Sequence, residues 1–303
     1  MRPLRATCLA ASTLFLVTSV AAPSLAEETV APGLADDAIV DDASSELAEL
    51  LASLDESQSH AFRGSYIAVD ENRTDVAALP ACDDDGDYVV VLSRGMLELL
   101  EYVAYADASD RLRGTHLVEA YGALLARDQR QGARPLPPPA AESSNSGSTS
   151  TAPLDAAVHT RVQDALAWLI ADELAHAALG SVVCPHPTIT REHGDSTWTA
   201  EERATALAMA PSRMANIAAA DAWATSQLDH RGRSRSAVVT WLRVLAPLEA
   251  AALSDASTHA PSTYLALHPG TRARIEALCH PESVAPAAAT SSSETSRAHA
   301  GMR

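Results

Sequence analysis

A chain of 303 residues with 39 acidic and 22 basic residues, formal net charge −17, is poorly suited to hold a nucleic-acid backbone or an anionic membrane surface. Every basic residue is Arg and none is Lys. With 47% apolar but only 4% aromatic residues, the sequence can fill one large core, or two small ones, with close-packed Ala-rich helices.

Residues 1–26 read as a signal peptide. Arg2 and Arg5 precede an apolar run from Leu9 to Ala22, and Ser24-Leu25-Ala26 offers a small-x-small cleavage site before Glu27. Cleavage there would remove two Arg and leave 277 residues at −19. The expected location is therefore exported, periplasmic or extracellular. Cys8 precedes the apolar run, which argues against a lipoprotein. No later stretch has the roughly 18 uninterrupted apolar residues of a spanning helix, so no transmembrane span is expected after signal removal. Cys82, Cys184 and Cys279 remain; two of them can pair in an oxidising compartment, and their spacing does not say which.

Residues 27–64 read as an acidic N-terminal segment. It holds one short helix over Glu46–Leu54, capped by Ser44 or Ser45, with Leu47, Leu50, Leu51 and Leu54 on one side. Ser65–Val69 is a strand candidate. Asp83–Asp87 is a solvated turn, since its acidic residues lack the spacing of a calcium loop. Tyr88–Leu92 is β-branched and apolar, a buried strand ended by Arg94-Gly95. A helix follows from Met96 to about Tyr105. Another runs from Asp110 to Asp128 with Leu112, Leu117, Val118, Tyr121 and Leu124 or Leu125 inward. Residues 131–153 are Pro-rich, then Ser, Thr and Gly-rich, and read as a flexible insertion. A long helix then spans Leu154–Leu179 and stops at Gly180. Further helices are expected over Glu201–Met209, Met214–Leu228, Ser236–Leu253 (interrupted or split at Pro247) and Thr271–Leu278. Trp168, Trp223 and Trp241 are core candidates. Residues 280–303 read as a disordered tail.

The long helix carries the polar patch on which function turns. Asp172 and His176 are four apart, one turn along the same face, and Glu173 lies beside them. This is the layout of H-E-x-x-H, where two His bind zinc and the Glu activates a water, with Asp172 standing at the first His.

Four segments extend the likeness: Asp75–Leu100 (DVAALPACDDDGDYVVVLSRGMLELL), Asp164–Gly180 (DALAWLIADELAHAALG), Ile217–Ala224 (IAAADAWA) and Leu267–Leu278 (LHPGTRARIEAL). In order and spacing they resemble the HtpX and CAAX-prenyl-protease type of zinc metallopeptidase, a gluzincin family. The resemblance implies an α+β, mostly helical fold over residues 65–279, with a small sheet against the DExxH helix. It implies zinc, with ligands at the positions of Asp172, His176 and Ile217. By the same resemblance Glu173 is the general base, Asp221 supports the ligands, His268 lies at the cleft and Arg274 pairs with an acidic helix.

Ile217 cannot bind a metal, and a catalytic zinc site keeps three protein ligands. Without zinc, Glu173 has no acidified water to work on. The leading expectation is a pseudoenzyme that is non-catalytic or impaired, keeps the cleft and binds a polypeptide substrate or client protein there. The alternative is an active metal-dependent endopeptidase with an altered ligand set. Its further ligand would come from Glu201, Glu202, Asp221, His186 or His193. A third expectation is a purely structural secreted protein.

Overall fold

The computed structural model describes residues 36–83, 85–128, 135–139, 152–182, 184, 208, 210–254 and 262–280. In chain order the elements are α1 (Asp36–Ser53), α2 (Glu56–Ala61), β1 (Tyr66–Asp70), β2 (Ala78–Cys82), β3 (Tyr88–Ser93), α3 (Arg94–Arg113), α4 (Leu117–Asp128), α5 (Ala152–Ala178), α6 (Ala210–His230), α7 (Arg235–Ser254), α8 (Thr263–Leu267) and α9 (Thr271–Cys279). The class is α+β and mostly helical, as the sequence implies.

The sheet has the order β1-β3-β2, with β3 parallel to β1 and antiparallel to β2. Alternation along β3 follows the pleat. Val90 and Leu92 enter the main core, while Val89 and Val91 pack in a smaller cluster with Ala77, Leu79 and Leu267. The turn between β2 and β3 is closed by Asp83, whose carboxylate accepts from the amides of Asp85 and Asp87.

Helix α5 is the centre. It packs against α1, α3, α6 and α7 and against β2 and β3. From Asp164 to Ala177 every residue is buried, the signature of a helix surrounded on all sides. Trp168 of α5 meets Trp241 of α7 edge-on at 6.1 Å, and Trp223 is partly buried against the same core.

Several boundaries differ from expectation, each for a local reason. Helix α1 starts at Asp36, ten residues before the expected one. Ile39, Ala43, Leu47 and Leu50 form one buried stripe along it, and packing on α5 outweighs the acidic composition. Ser44 caps nothing; its hydroxyl donates to the Val40 carbonyl within the helix. The sequence reading missed α2, whose N-cap Asp55 accepts from the Gln58 amide at 2.9 Å. It also split α3 too early. That helix runs unbroken to Gly114, which takes the left-handed conformation at φ +67°. Asp110 then reaches across to accept from the amides of Leu117 and Val118, capping α4. Leu112, expected inward, is exposed. Helix α7 continues through Pro247. It is long and apolar enough to cross a membrane, yet Val238, Trp241, Leu242, Val244, Leu245 and Leu248 are all wholly buried in the core. Helix α5 begins at Ala152, inside the expected insertion. The signal peptide, most of that insertion, most of the Glu201–Met209 helix and the tail lie outside the described residues.

Two features position the site. Ser93 ends β3 and caps α3, its hydroxyl accepting from the Met96 amide. At Gly95 a Cβ would lie 2.4 Å from the Asp75 carbonyl oxygen, so only glycine lets α3 start this close to the segment before β2. Asp75 in turn holds α8, accepting from the amide and hydroxyl of Thr263 at 2.9 and 2.5 Å. A disulfide joins Cys82 at the end of β2 to Cys184 beyond α5, leaving Cys279 free and exposed.

Candidate metal centre

A polar side chain in the buried stretch of α5 must find partners inside the protein or leave its charge uncompensated. Asp172, Glu173 and His176 are all 0% exposed. Three other elements converge on them. Helix α6 supplies Arg213 and Asp221, eight residues apart and so about two turns along one face. Helix α8 and its exit supply Tyr264 and His268, and α9 supplies Arg274. Helix α8 is tied to the sheet by the Tyr264 amide, which donates to the Val76 carbonyl at 2.8 Å. Helix α9 is anchored at its start by Glu249, which accepts from the amides of Gly270 and Thr271 at 2.6 and 2.9 Å.

Two guanidinium groups organise the cluster. Arg274 grips both oxygens of Asp221, donating from Nε at 3.1 and 3.0 Å and from Nη2 at 2.7 Å. Its Nη2 also donates to Asp172 Oδ2 at 3.2 Å, and its Nη1 to the Tyr264 hydroxyl at 2.9 Å. The same guanidinium lies 5.1 Å from the centre of the Trp168 ring. Arg213 Nη2 donates to Glu173 Oε2 at 2.7 Å and lies 2.8 Å from His268 Nε2. His268 Nδ1 lies 3.2 Å from the Tyr264 carbonyl oxygen, an acceptor. Nδ1 therefore carries the proton, and Nε2 presents its lone pair to Arg213. The His268 ring stacks on Tyr264 at 4.3 Å and meets the His176 ring edge-on at 5.2 Å.

Three carboxylates face two guanidiniums, so one carboxyl proton makes the cluster neutral. Burial raises Asp172 well above its ordinary value, opposed by Arg274 and assisted by the charges of Asp221 and Glu173. Burial also raises Glu173, against the pull of Arg213. The histidines move the other way. Burial, then Arg213 and Arg274, push His176 down to about 3. Burial, the two arginines and His176 push His268 well below its usual value.

These shifts give stability a pH dependence of mixed sign in the metal-free protein. His176 is depressed below its ordinary 6.5, so its contribution is full above pH 6.5 and is lost as pH falls toward about 3. The raised carboxyls act oppositely: their contribution is full at low pH and is lost as pH rises through their folded values. Comparison with a His176→Gln variant isolates the histidine. From pH 6.5 to 5 the wild type should lose about 1.6 kcal/mol in all relative to the variant, the slope approaching about 1.4 kcal/mol per pH unit at the acid end. Urea denaturation at a series of pH values measures this, and parallel curves for the two proteins would contradict it.

Asp172, His176 and His268 each offer one ligand atom, and these atoms lie within 4.8 Å of one another. The group could hold a metal ion. Two neutral imidazoles and a carboxylate suit a divalent ion chemically. Four buried atoms able to face an ion have no hydrogen-bond partner among the described residues, namely Asp172 Oδ1, Glu173 Oε1 and both ring nitrogens of His176, and the donor Arg213 Nε beside them has none either. Unpaired buried polar atoms are rare, and four in one cluster is the pattern of a site built for an ion or water.

The sequence-derived residues fall in place unevenly. Asp172, Glu173 and His176 come together, as α5 dictates. His268, expected at an open cleft, is wholly buried and is the third candidate ligand. Asp221 supports the cluster, but as a carboxylate bonded through both oxygens to Arg274 it is no substitute ligand. Ile217 lies half-buried on α6 and offers no ligand atom. His186, His193, Glu201 and Glu202 lie outside the described residues. Arg213 was missed, though a signal exists. In an Ala-rich helix it sits one turn before Ile217 and two before Asp221, so it shares their face. Compared with protein-family models, with curated proteins and with solved structures, the chain matches none.

Proposed function

We propose that this chain is an exported, non-hydrolytic protein of gluzincin-like architecture, a pseudoenzyme of the zinc-metallopeptidase type. The observation that carries the reading is the state of Glu173. The carboxylate placed to act as general base is fully buried and ion-paired to Arg213 at 2.7 Å. A base must be able to reach its substrate's proton or a water, and must be free to take up that proton. Arg213 occupies Oε2 of Glu173, and Oε1 is buried away from solvent. The gluzincin-like arrangement rests on the resemblance together with the packing of the DExxH helix against a small sheet. Export is supported by the N-terminal pattern and by the Cys82–Cys184 disulfide. A polypeptide client or substrate rests on the resemblance alone.

A second reading is favoured by the four unpartnered atoms and the proximity of the three ligand atoms. In it the chain is a metal-dependent endopeptidase whose ligands are Asp172, His176 and His268. Bound zinc would supply an acidified water and polarise the scissile carbonyl, and Glu173 would accept the proton. One experiment separates the two readings. The mature chain is incubated with zinc, desalted and assayed for bound metal by mass spectrometry and for cleavage of unfolded casein with and without chelator. The first reading expects neither stoichiometric zinc nor chelator-sensitive cleavage. Cleavage that disappears in Glu173→Gln would establish the second.

A further inference from the structure

We propose that Arg213 is a resident cation that takes the place of a metal ion, and that the group Asp172, His176 and His268 is a latent divalent-cation site closed by it. The proposal rests on the non-hydrolytic reading above and adds the means by which the centre is kept inactive.

His268 Nε2 is the only ring nitrogen of that residue with a free lone pair, because Nδ1 donates to the Tyr264 carbonyl. It is therefore the atom with which His268 would ligate. Arg213 Nη2 already lies 2.8 Å from it. A metal–nitrogen bond of about 2.0–2.1 Å along the same lone pair leaves no room for that donor. Ion and guanidinium are mutually exclusive at this nitrogen.

Charge points the same way. Arg213 sits against Glu173, and His268 Nε2 is 3.5 Å from Glu173 Oε1 and 3.7 Å from Asp172 Oδ2. Arg213 Nη2 thus sets its positive charge between Glu173 and the lone pair of His268 Nε2, the nitrogen around which both carboxylates gather. The occupancy is incomplete, however. Arg213 makes no bond to His176, whose two nitrogens are unpartnered among the described residues, and Asp172 Oδ1 is likewise unpartnered. A single arginine covers one candidate ligand of the three and leaves donors of the other two for an ion.

This assigns the third ligand to His268. Ile217, the position implied by the family resemblance, has no part in it. It also predicts that removing one residue which ligates nothing will create metal affinity. Cobalt(II) is the probe, because three protein ligands and a tetrahedral geometry give a visible absorption band independent of any activity. Wild type, Arg213→Met and the charge-balanced double variant Arg213→Met with Glu173→Gln are titrated with cobalt(II). His268→Leu is added to each Arg213 variant as the ligand control. Either Arg213 variant should bind about one cobalt with an intense visible band, roughly 10- to 100-fold more tightly than wild type, the range over which a neighbouring group changes affinity at a metal site. The band should vanish with His268→Leu.

The double variant guards against loss of folding, since it leaves no buried carboxylate without its cation at position 173. Folded variants that bind no cobalt would overturn the proposal, as would wild type binding equally well, or binding that survives His268→Leu. If both variants unfold, Arg213 is a structural partner only and the proposal fails. Casein cleavage by the wild type would defeat the non-hydrolytic reading whatever the cobalt titration shows, so the two failures are distinguishable.

Discussion

Replacing Arg274 with Met should destabilise the metal-free chain by about 3–5 kcal/mol at pH 7, the scale for removing one partner of a buried ion pair. The side chain is 3% exposed and donates from both Nε and Nη2 to Asp221, with further bonds to Asp172 and Tyr264. Methionine fills much of the volume but leaves two buried carboxylates with no cation beside them. Burial favours the protonated form of Asp172, which sets the pH signature. The variant's deficit should shrink as pH falls toward 4 and widen as pH rises. Lysine is not a remedy, because one ammonium cannot reproduce the forked Nε and Nη2 bonds to Asp221 or lie flat over Trp168. Adding Asp221→Asn to Arg274→Met should recover part of the loss by removing one stranded charge. Urea midpoints at pH 4.5 and 7 for the three proteins decide the matter. A loss below about 1 kcal/mol, the range of an exposed pair, would mean that this network is solvated and that its burial has been misread.

What could be read from the sequence followed from period and punctuation. Helix α5 was legible because a long apolar run ends at Gly180, and the i, i+4 relation of Asp172 and His176 needs only the helix. Strand β3 was legible from its unbroken Tyr88–Leu92 run. The first half of helix α1 was not, because Ile39 and Ala43 are interleaved with acidic residues that read as a solvated segment. The site was half legible. The three residues on α5 are local, whereas Arg213 is 40 residues from Glu173 and Arg274 is 102 from Asp172, and no pattern announces either pairing. The resemblance drew attention to Ile217, a side chain with no ligand atom. It could not find that an arginine one turn earlier supplies the charge, nor that His268 turns inward. The second depends on how α8 is pinned to Asp75 and Val76.

The disulfide is the second large effect expected. Cys82 and Cys184 are 102 residues apart, and the loop they close contains β3, α3, α4 and α5. Loop-closure entropy for a loop of about 100 residues is roughly 4.7 kcal/mol, and native disulfides typically contribute about 2–5. Substituting both cysteines by Ser in a Cys279→Ala background of the chain lacking residues 1–26, where no thiol remains to reshuffle, should therefore lower the unfolding free energy by about 2–5 kcal/mol. The background matters because Cys279 is exposed and could attack the bond during denaturation. Reducing agent should shift the urea midpoint of the Cys279→Ala protein by the same amount and leave the triple variant unmoved. Locally, the bond fastens the end of β2 to the segment beyond α5, so amide exchange should accelerate at Leu79 and Ala81, whose register partners are Val91 and Val89. A domain stable by only about 5–15 kcal/mol that draws several of them from one disulfide is poorly suited to a reducing compartment. Equal stability with and without the bond, within about 0.5 kcal/mol, would remove this support for export and leave the N-terminal pattern to stand alone.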